Sequence, residues 1–206
     1  MRFAEIYKTL LREYGHQNWW PSKTKTQFEI CAGAILTQNT NWGNVEKALD
    51  NLIAAKALSA AKIADMDIRT LQKLIRPSGF FRQKAVRLQA FAKIVAASKN
   101  FYKNITREGL LKMRGIGPET ADSILLYACG RPYFVVDAYT RRIFSRIGIV
   151  DKNMDYEEIR NIFESNIPKD VELYKEFHAL IVQHAKQCCR KTPNESCVLK
   201  VFIVMQ

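Results

Sequence analysis

Hydrophobic positions along this chain recur at helical spacing. Phe28, Cys31, Ala32, Ile35 and Leu36 follow the i, i+3, i+4, i+7, i+8 rule, and Val45, Ala48, Leu49 and Leu52 repeat it. Leu88, Phe91, Ala92 and Val95 mark another helix, as do Ile143, Phe144 and Ile147, then Ile159, Ile162 and Phe163, and finally Phe177, Leu180, Ile181 and His184. Breaks fall at Trp20-Pro21, Asn39 to Asn44, Arg76-Pro77-Ser78-Gly79, Gly115-Ile116-Gly117-Pro118, Gly130-Arg131-Pro132 and Ile167-Pro168. Strand-like alternation is nearly absent, and Tyr133 to Val136 is too short to build a sheet. The pattern predicts an all-α protein of roughly ten short helices joined by ordinary connections. It contains no internal repeat and no low-complexity linker.

With 206 residues and 48% hydrophobic content, the chain has ample material for a core, in one domain or two small lobes. Charge narrows the partner class. Lys+Arg 32 against Asp+Glu 20 gives a net charge of +12, spread along the chain, which suits a polyanion and nucleic acid above all. No apolar run approaches the ~20 residues needed to cross a bilayer. The first segment, MRFAEIYKTLLREYG, has acids within its apolar stripe and no cleavage-site pattern, so it does not read as a signal peptide. A cytoplasmic, nucleoid-associated location is the default, and the five cysteines are then thiols or metal ligands.

Residues 111–142 carry the candidate chemistry. Gly115 and Gly117 are expected at positive φ, where the backbone can approach a phosphate without a Cβ in the way. Pro118 suits the first position of the following helix. Leu111 and Met113 before the turn, Ile116 within it, and Ala121, Ile124 and Leu125 after it form the expected buried seam of a helix-hairpin-helix. Lys112 and Arg114 beside the turn would add phosphate contacts. Asp137 follows Gly117 by 20 residues (137 − 117), after the apolar Val135-Val136. It reads equally as the N-cap of the next helix and as a rigidly held catalytic carboxylate.

GIGPETADSILLYACGRPYFVVDAYTRR resembles the helix-hairpin-helix and Gly/Pro-Asp signature of the endonuclease III superfamily of DNA glycosylases. The resemblance covers nearly the whole chain. WWP at 19–21, AILTQNTNW at 34–42 and RPSGFFRQKAVRL at 76–88 are similar to the 3-methyladenine DNA glycosylase III branch. It implies a two-lobed helical fold: residues 21–131 as a central barrel holding the hairpin (about 106–128), and residues 1–20 with 132–206 as a second lobe. The active site would lie in the cleft between them, on double-stranded DNA with a damaged base, in a protein working as a monomer.

The resemblance also assigns residues. Asp137 takes the position of the superfamily's essential aspartate. Bifunctional members carry a Schiff-base lysine directly before a Thr-Ala pair; here that position is Glu119, before Thr120-Ala121. A carboxylate cannot form an imine, so a monofunctional enzyme is expected, hydrolysing the N-glycosidic bond without AP lyase activity. One carboxylate can stabilise an oxocarbenium-like sugar and orient water. An alkylated purine is already a cationic leaving group and needs no second acid, which fits a 3-methyladenine-like substrate. Gln38 matches a residue inserted where the base is extruded, and Thr120 belongs with the hairpin's DNA contacts. Trp19, Trp20, Pro21 and Trp42 are expected to form the base pocket, where indole faces attract a cationic ring. Arg76, Lys84 and Arg87 are expected on a basic face.

Many superfamily members end in a four-cysteine loop that binds a [4Fe–4S] cluster. Here Cys189 and Cys197 stand near ligand positions, with Cys188 adjacent, while the second position reads Asn194-Glu195-Ser196 and the last falls in Val201-Phe202-Ile203. Three local cysteines do not supply four thiolates, so no stable cluster is expected, and catalysis needs no cofactor. Zinc on His184 with Cys188, Cys189 and Cys197 is a rival reading whose spacing matches no standard pattern. Two other functions remain open: a bifunctional glycosylase/AP lyase on oxidised pyrimidines, and a non-catalytic hairpin DNA-binding protein.

Overall fold

The computed structural model describes residues 2–20, 22–189 and 197–202. The chain divides into two compact units, Pro21–Cys129 and Met1–Trp20 with Gly130–Gln206. Twelve α-helical segments occur among the described residues. Their starts follow side-chain caps: Thr26, Asn41, Ser59, Asp67, Thr106, Asp137, Asp155 and Asp170 each accept a hydrogen bond from the backbone N–H three residues on.

In the Pro21–Cys129 unit, α2 (Gln27–Leu36) is central. Its periodicity predicts one apolar face, yet eight of its ten residues are buried, from Phe28 to Leu36. The small residues Ala32, Gly33 and Ala34 let neighbours pack on the remaining faces. Around it lie α3 (Trp42–Ala54), α6 (Phe81–Ala97), α9 (Pro118–Ser123) and the wider π-helical turn Ile124–Ala128 that continues α9. The short helices α4 (Ala60–Asp65) and α5 (Ile68–Leu74) pack on α6; α7 (Phe101–Asn104) and α8 (Arg107–Leu111) lead into the hairpin.

Two buried charges hold this unit. Glu29 is fully buried, and its carboxylate accepts bonds from the Ser22 and Thr24 hydroxyls and the Lys23 and Thr24 N–H groups at 2.6–2.8 Å. It thereby ties the start of the unit to α2. Lys84, expected on a basic face, is only 1% exposed. Its ammonium donates to the carbonyls of Leu36 (2.8 Å) and Ser78 (2.6 Å), capping the end of α2. Burial, reinforced by Arg87, pushes its pKa down to about 8.

The other unit packs α1 (Arg2–Tyr14), α10 (Ala138–Arg146), α11 (Tyr156–Asn166) and α12 (Val171–Gln187) around an aromatic core. Phe134 stacks on Phe163 at 4.2 Å, Phe3 meets Phe163 edge-on at 5.0 Å, and Phe144 lies 4.5 Å from Phe163. Phe134 is the anchor of the extended stretch 131–136: it is buried, as are Val135 and Val136, and its N–H donates to Glu164 at 2.9 Å. That stretch ends at Asp137.

Candidate active site

Asp137 is the N-cap of α10 and its position is set from three sides. The Phe134–Val136 lead-in fixes where the residue enters. Thr140 then donates to Oδ1 twice, from its N–H (2.7 Å) and its hydroxyl (2.9 Å). From α12, His178 brings Nε2 to 3.6 Å from Oδ2. Burial raises the carboxyl pKa, but His178 and the Thr140 bonds outweigh it, and the net position is below the ordinary value. The side chain keeps 15% exposure, with Oδ1 engaged by Thr140 and Oδ2 facing His178.

The same helix positions the aromatic pair. Glu176 accepts from the backbone N–H of Gln17 (2.6 Å) and Asn18 (3.3 Å), fixing the turn that precedes Trp19-Trp20. Trp19 lies 5.7 Å from Trp20 and 5.8 Å from the His178 ring, both tilted at about 40°. Both tryptophans are half-buried. Trp19, Trp20, His178 and Asp137 therefore form one chain of contacts within this unit. Pro21 lies outside the described residues, and Trp42 opens α3 in the other unit.

The hairpin departs from expectation at Gly117, at Leu111 and at Met113, which is only half-buried. Gly115 has φ +85°, but Gly117 is extended at φ −91°. A Cβ at Gly115 would also run into the Arg87 side chain, which would have to move. At Gly117 the space is open. Leu111 is 36% exposed and does not join the seam; Leu110 is buried in its place, with Ile116, Ala121, Ile124 and Leu125. The five-residue α8 turns that neighbour inward. Arg107 clamps the hairpin's two helices through a paired bond to Asp122 (2.6 and 3.1 Å). Lys112, Arg114 and Glu119 are exposed, and Thr120 is buried.

Gln38 is occupied in a way the sequence does not announce. Its amide donates to Gly115 O (2.9 Å) and Thr120 Oγ1 (3.0 Å) and accepts from Arg87 Nη1 (2.8 Å). Next to it, Asn39 is exposed with φ +53°. Phe80, 63% exposed at φ +43°, is a second side chain held outward at a backbone cost. Asn39 had a legible signal, because asparagine tolerates the left-handed region; Phe80 had none.

At the end of α12, His184, Cys188 and Cys197 place their ligand atoms within 4.8 Å of one another. Burial pushes the His184 pKa down to about 4, leaving a neutral imidazole. Cys189 turns away: its sulfur accepts from Arg146 Nη1 at 2.9 Å. One imidazole and two thiols do not match the four-thiolate set of a [4Fe–4S] cluster. Asn194-Glu195-Ser196 and Ile203 lie outside the described residues. Among the described residues, no helix is long and apolar enough to cross a membrane.

Residues 32–169 match the HhH-GPD superfamily of base excision DNA repair proteins. A protein of Methanocaldococcus jannaschii that carries the name of a DNA repair glycosylase is 49% identical over 208 aligned residues, covering 96% of this chain and 94% of its own. The endonuclease III of Thermotoga maritima is 30% identical, covering 86% and 83%. Among solved structures, the 3-methyladenine DNA glycosylase MagIII of H. pylori, bound to 1,N6-ethenoadenine, has a TM-score of 0.80 at 34% identity, covering 90% of this chain and 97% of that one. An endonuclease III–DNA complex shares the fold at 20% identity, with a TM-score of 0.84 and coverage of 98% and 94%. The hairpin, the capping aspartate and these likenesses agree: this chain belongs to the HhH-GPD superfamily of base excision DNA repair proteins and is a DNA glycosylase.

Proposed function

We propose that this glycosylase is monofunctional and removes alkylated, 3-methyladenine-like bases from double-stranded DNA, acting as a monomer and leaving an abasic site. The observation that carries this reading is Glu119, an exposed carboxylate in the first turn of α9, where bifunctional relatives of the superfamily carry the imine-forming lysine. Likeness to the H. pylori 3-methyladenine enzyme supports the substrate class.

Asp137 stabilises the oxocarbenium-like sugar and orients the attacking water, its carboxylate held by Thr140 at Oδ1 and faced by His178 at Oδ2. Trp19 and Trp20 offer faces to a cationic purine. Lys112 and Arg114 contact phosphates. The amide of Gln38 is committed to the hairpin, so Asn39 suits the hydrogen-bonding role at the extruded base, and Phe80 suits an apolar wedge between base steps.

Base release from methylated duplex DNA, run beside borohydride trapping, tests the proposal. Free alkylated purine should appear with no covalent adduct. A trapped enzyme–DNA adduct, or release confined to oxidised pyrimidines, would overturn it. Asn39→Ala should slow release on duplex more than on single-stranded DNA, with the thermal midpoint unchanged.

A further inference from the structure

The sequence leaves His184 and the C-terminal cysteines without a workable spacing, but folding brings three of them together. Cys188 caps α12 four residues after His184, its N–H donating to the His184 carbonyl, so the two side chains stand together at the helix end. Cys197 immediately precedes the 3-10 turn Val198–Phe202, and its sulfur sits 3.4 Å from His184 Nε2. In a tetrahedral zinc site, Zn–S of ~2.3 Å and Zn–N of ~2.0 Å require ligand-to-ligand edges of roughly 3.5–3.8 Å. One edge, at 3.4 Å, is already close to that length, and the others, at most 4.8 Å, close with small side-chain rotations.

A second observation concerns the far side of the imidazole. His184 Nδ1 lies 2.8 Å from the Tyr14 hydroxyl of α1. A ligating histidine engages its other nitrogen in this way, which fixes the ring orientation; with Nδ1–H donating to the Tyr14 oxygen, Nε2 is left as the donor to the metal. Cys189 is excluded by its bond to Arg146, which separates it from Cys188 despite their adjacency.

We propose that His184 Nε2, Cys188 Sγ and Cys197 Sγ form a mononuclear site for a zinc-class cation, in place of the iron–sulfur cluster. Two thiolates and an imidazole select zinc or a similar borderline metal and reject magnesium and calcium. Binding displaces the two thiol protons and leaves a fourth position to water, since both cysteines are only half-buried. The ion would cross-link α12 to the Val198–Phe202 turn.

Elemental analysis of the full chain, purified under reducing conditions and loaded with Zn²⁺ alone, is the direct test. About one zinc per chain is expected. Cobalt substitution should give the intense visible bands of a four-coordinate thiolate site. Cys188→Ser and Cys197→Ser should each lose the zinc and the cobalt bands, whereas Cys189→Ser should keep both. Circular dichroism of each variant separates loss of the site from loss of the fold. Four irons per chain, a Cys188–Cys197 disulfide under these conditions, no metal retained after dialysis, or equal loss in Cys189→Ser would each overturn the proposal.

Discussion

Replacing Asp137 with asparagine removes one charge and little else. The asparagine carbonyl oxygen can accept the two Thr140 bonds now made to Oδ1, at 2.7 and 2.9 Å, and asparagine ranks with aspartate as an N-cap. Helix α10 therefore keeps its start. What disappears is the negative charge facing the sugar. At about 4 Å from a developing cation, with an effective dielectric of ~20, that charge contributes ~4 kcal/mol. At ~1.4 kcal/mol per decade, base release should slow about 1,000-fold. Single-turnover release from methylated duplex measures this, with fluorescence anisotropy for DNA affinity and a thermal melt for the fold. Asp137→Ala provides the contrast, since it loses the cap as well, worth ~1 kcal/mol. The reasoning fails if Asp137→Asn retains release within tenfold of the native rate, or if its midpoint falls as far as that of Asp137→Ala.

Gly115→Ala forces a Cβ into Arg87 at 2.3 Å in a left-handed residue, so a midpoint loss from ~1–2 kcal/mol of backbone strain plus displacement of Arg87 is expected; an unchanged melt refutes it. Arg107→Met removes the paired guanidinium from the fully buried Asp122 carboxylate and should cost ~3–5 kcal/mol in denaturant unfolding. Arg107→Met with Asp122→Leu should recover most of that loss, and no recovery would deny that the pair is the cause. Burial raises the Glu29 pKa, yet its bonds from Ser22, Thr24 and Lys23 N–H bring the net value below the usual one. A depressed carboxyl stabilises the fold above its unfolded pKa of ~4.3 and stops doing so as pH falls through the lower folded value. The melting gap between native protein and Glu29→Gln should be wide at neutral pH and shrink in acid below about pH 4; a pH-independent gap contradicts the assignment.

Helix existence and the acid were legible in the sequence because both depend on local spacing. Val45, Ala48, Leu49 and Leu52 are buried where their periodicity puts them, and Asp137 caps the helix it precedes. Lys84 misled because a lysine within a helix normally snorkels to water. Here two carbonyls, one at the end of α2 and one in the Arg76–Ser78 turn, meet its ammonium inside the protein. Glu176 and His178 were invisible for a related reason. Each is an unremarkable polar residue of α12, and its partner lies 41 residues or more away: Asp137 for His178 (178 − 137), Gln17 and Asn18 for Glu176. Gln38 shows the opposite failure. A polar loop residue can reach solvent or its own fold, and only tertiary contact with Gly115, Thr120 and Arg87 decides which.

The capping role of Asp137 serves the chemical role proposed for it. A carboxylate that gives one oxygen to the backbone and hydroxyl of Thr140 and faces His178 with the other has little rotational freedom left, so it is oriented before any substrate arrives. Glu176 does the equivalent for the tryptophans by anchoring the Gln17-Asn18 backbone. Glu176 and His178 are two residues apart on one helix, so acid and aromatic pair are referenced to a single rigid element. Through Glu176 it holds the backbone before the tryptophans, and through His178 it meets an acid already set by Thr140, which is the fixed spacing that the proposed action on one nucleotide requires.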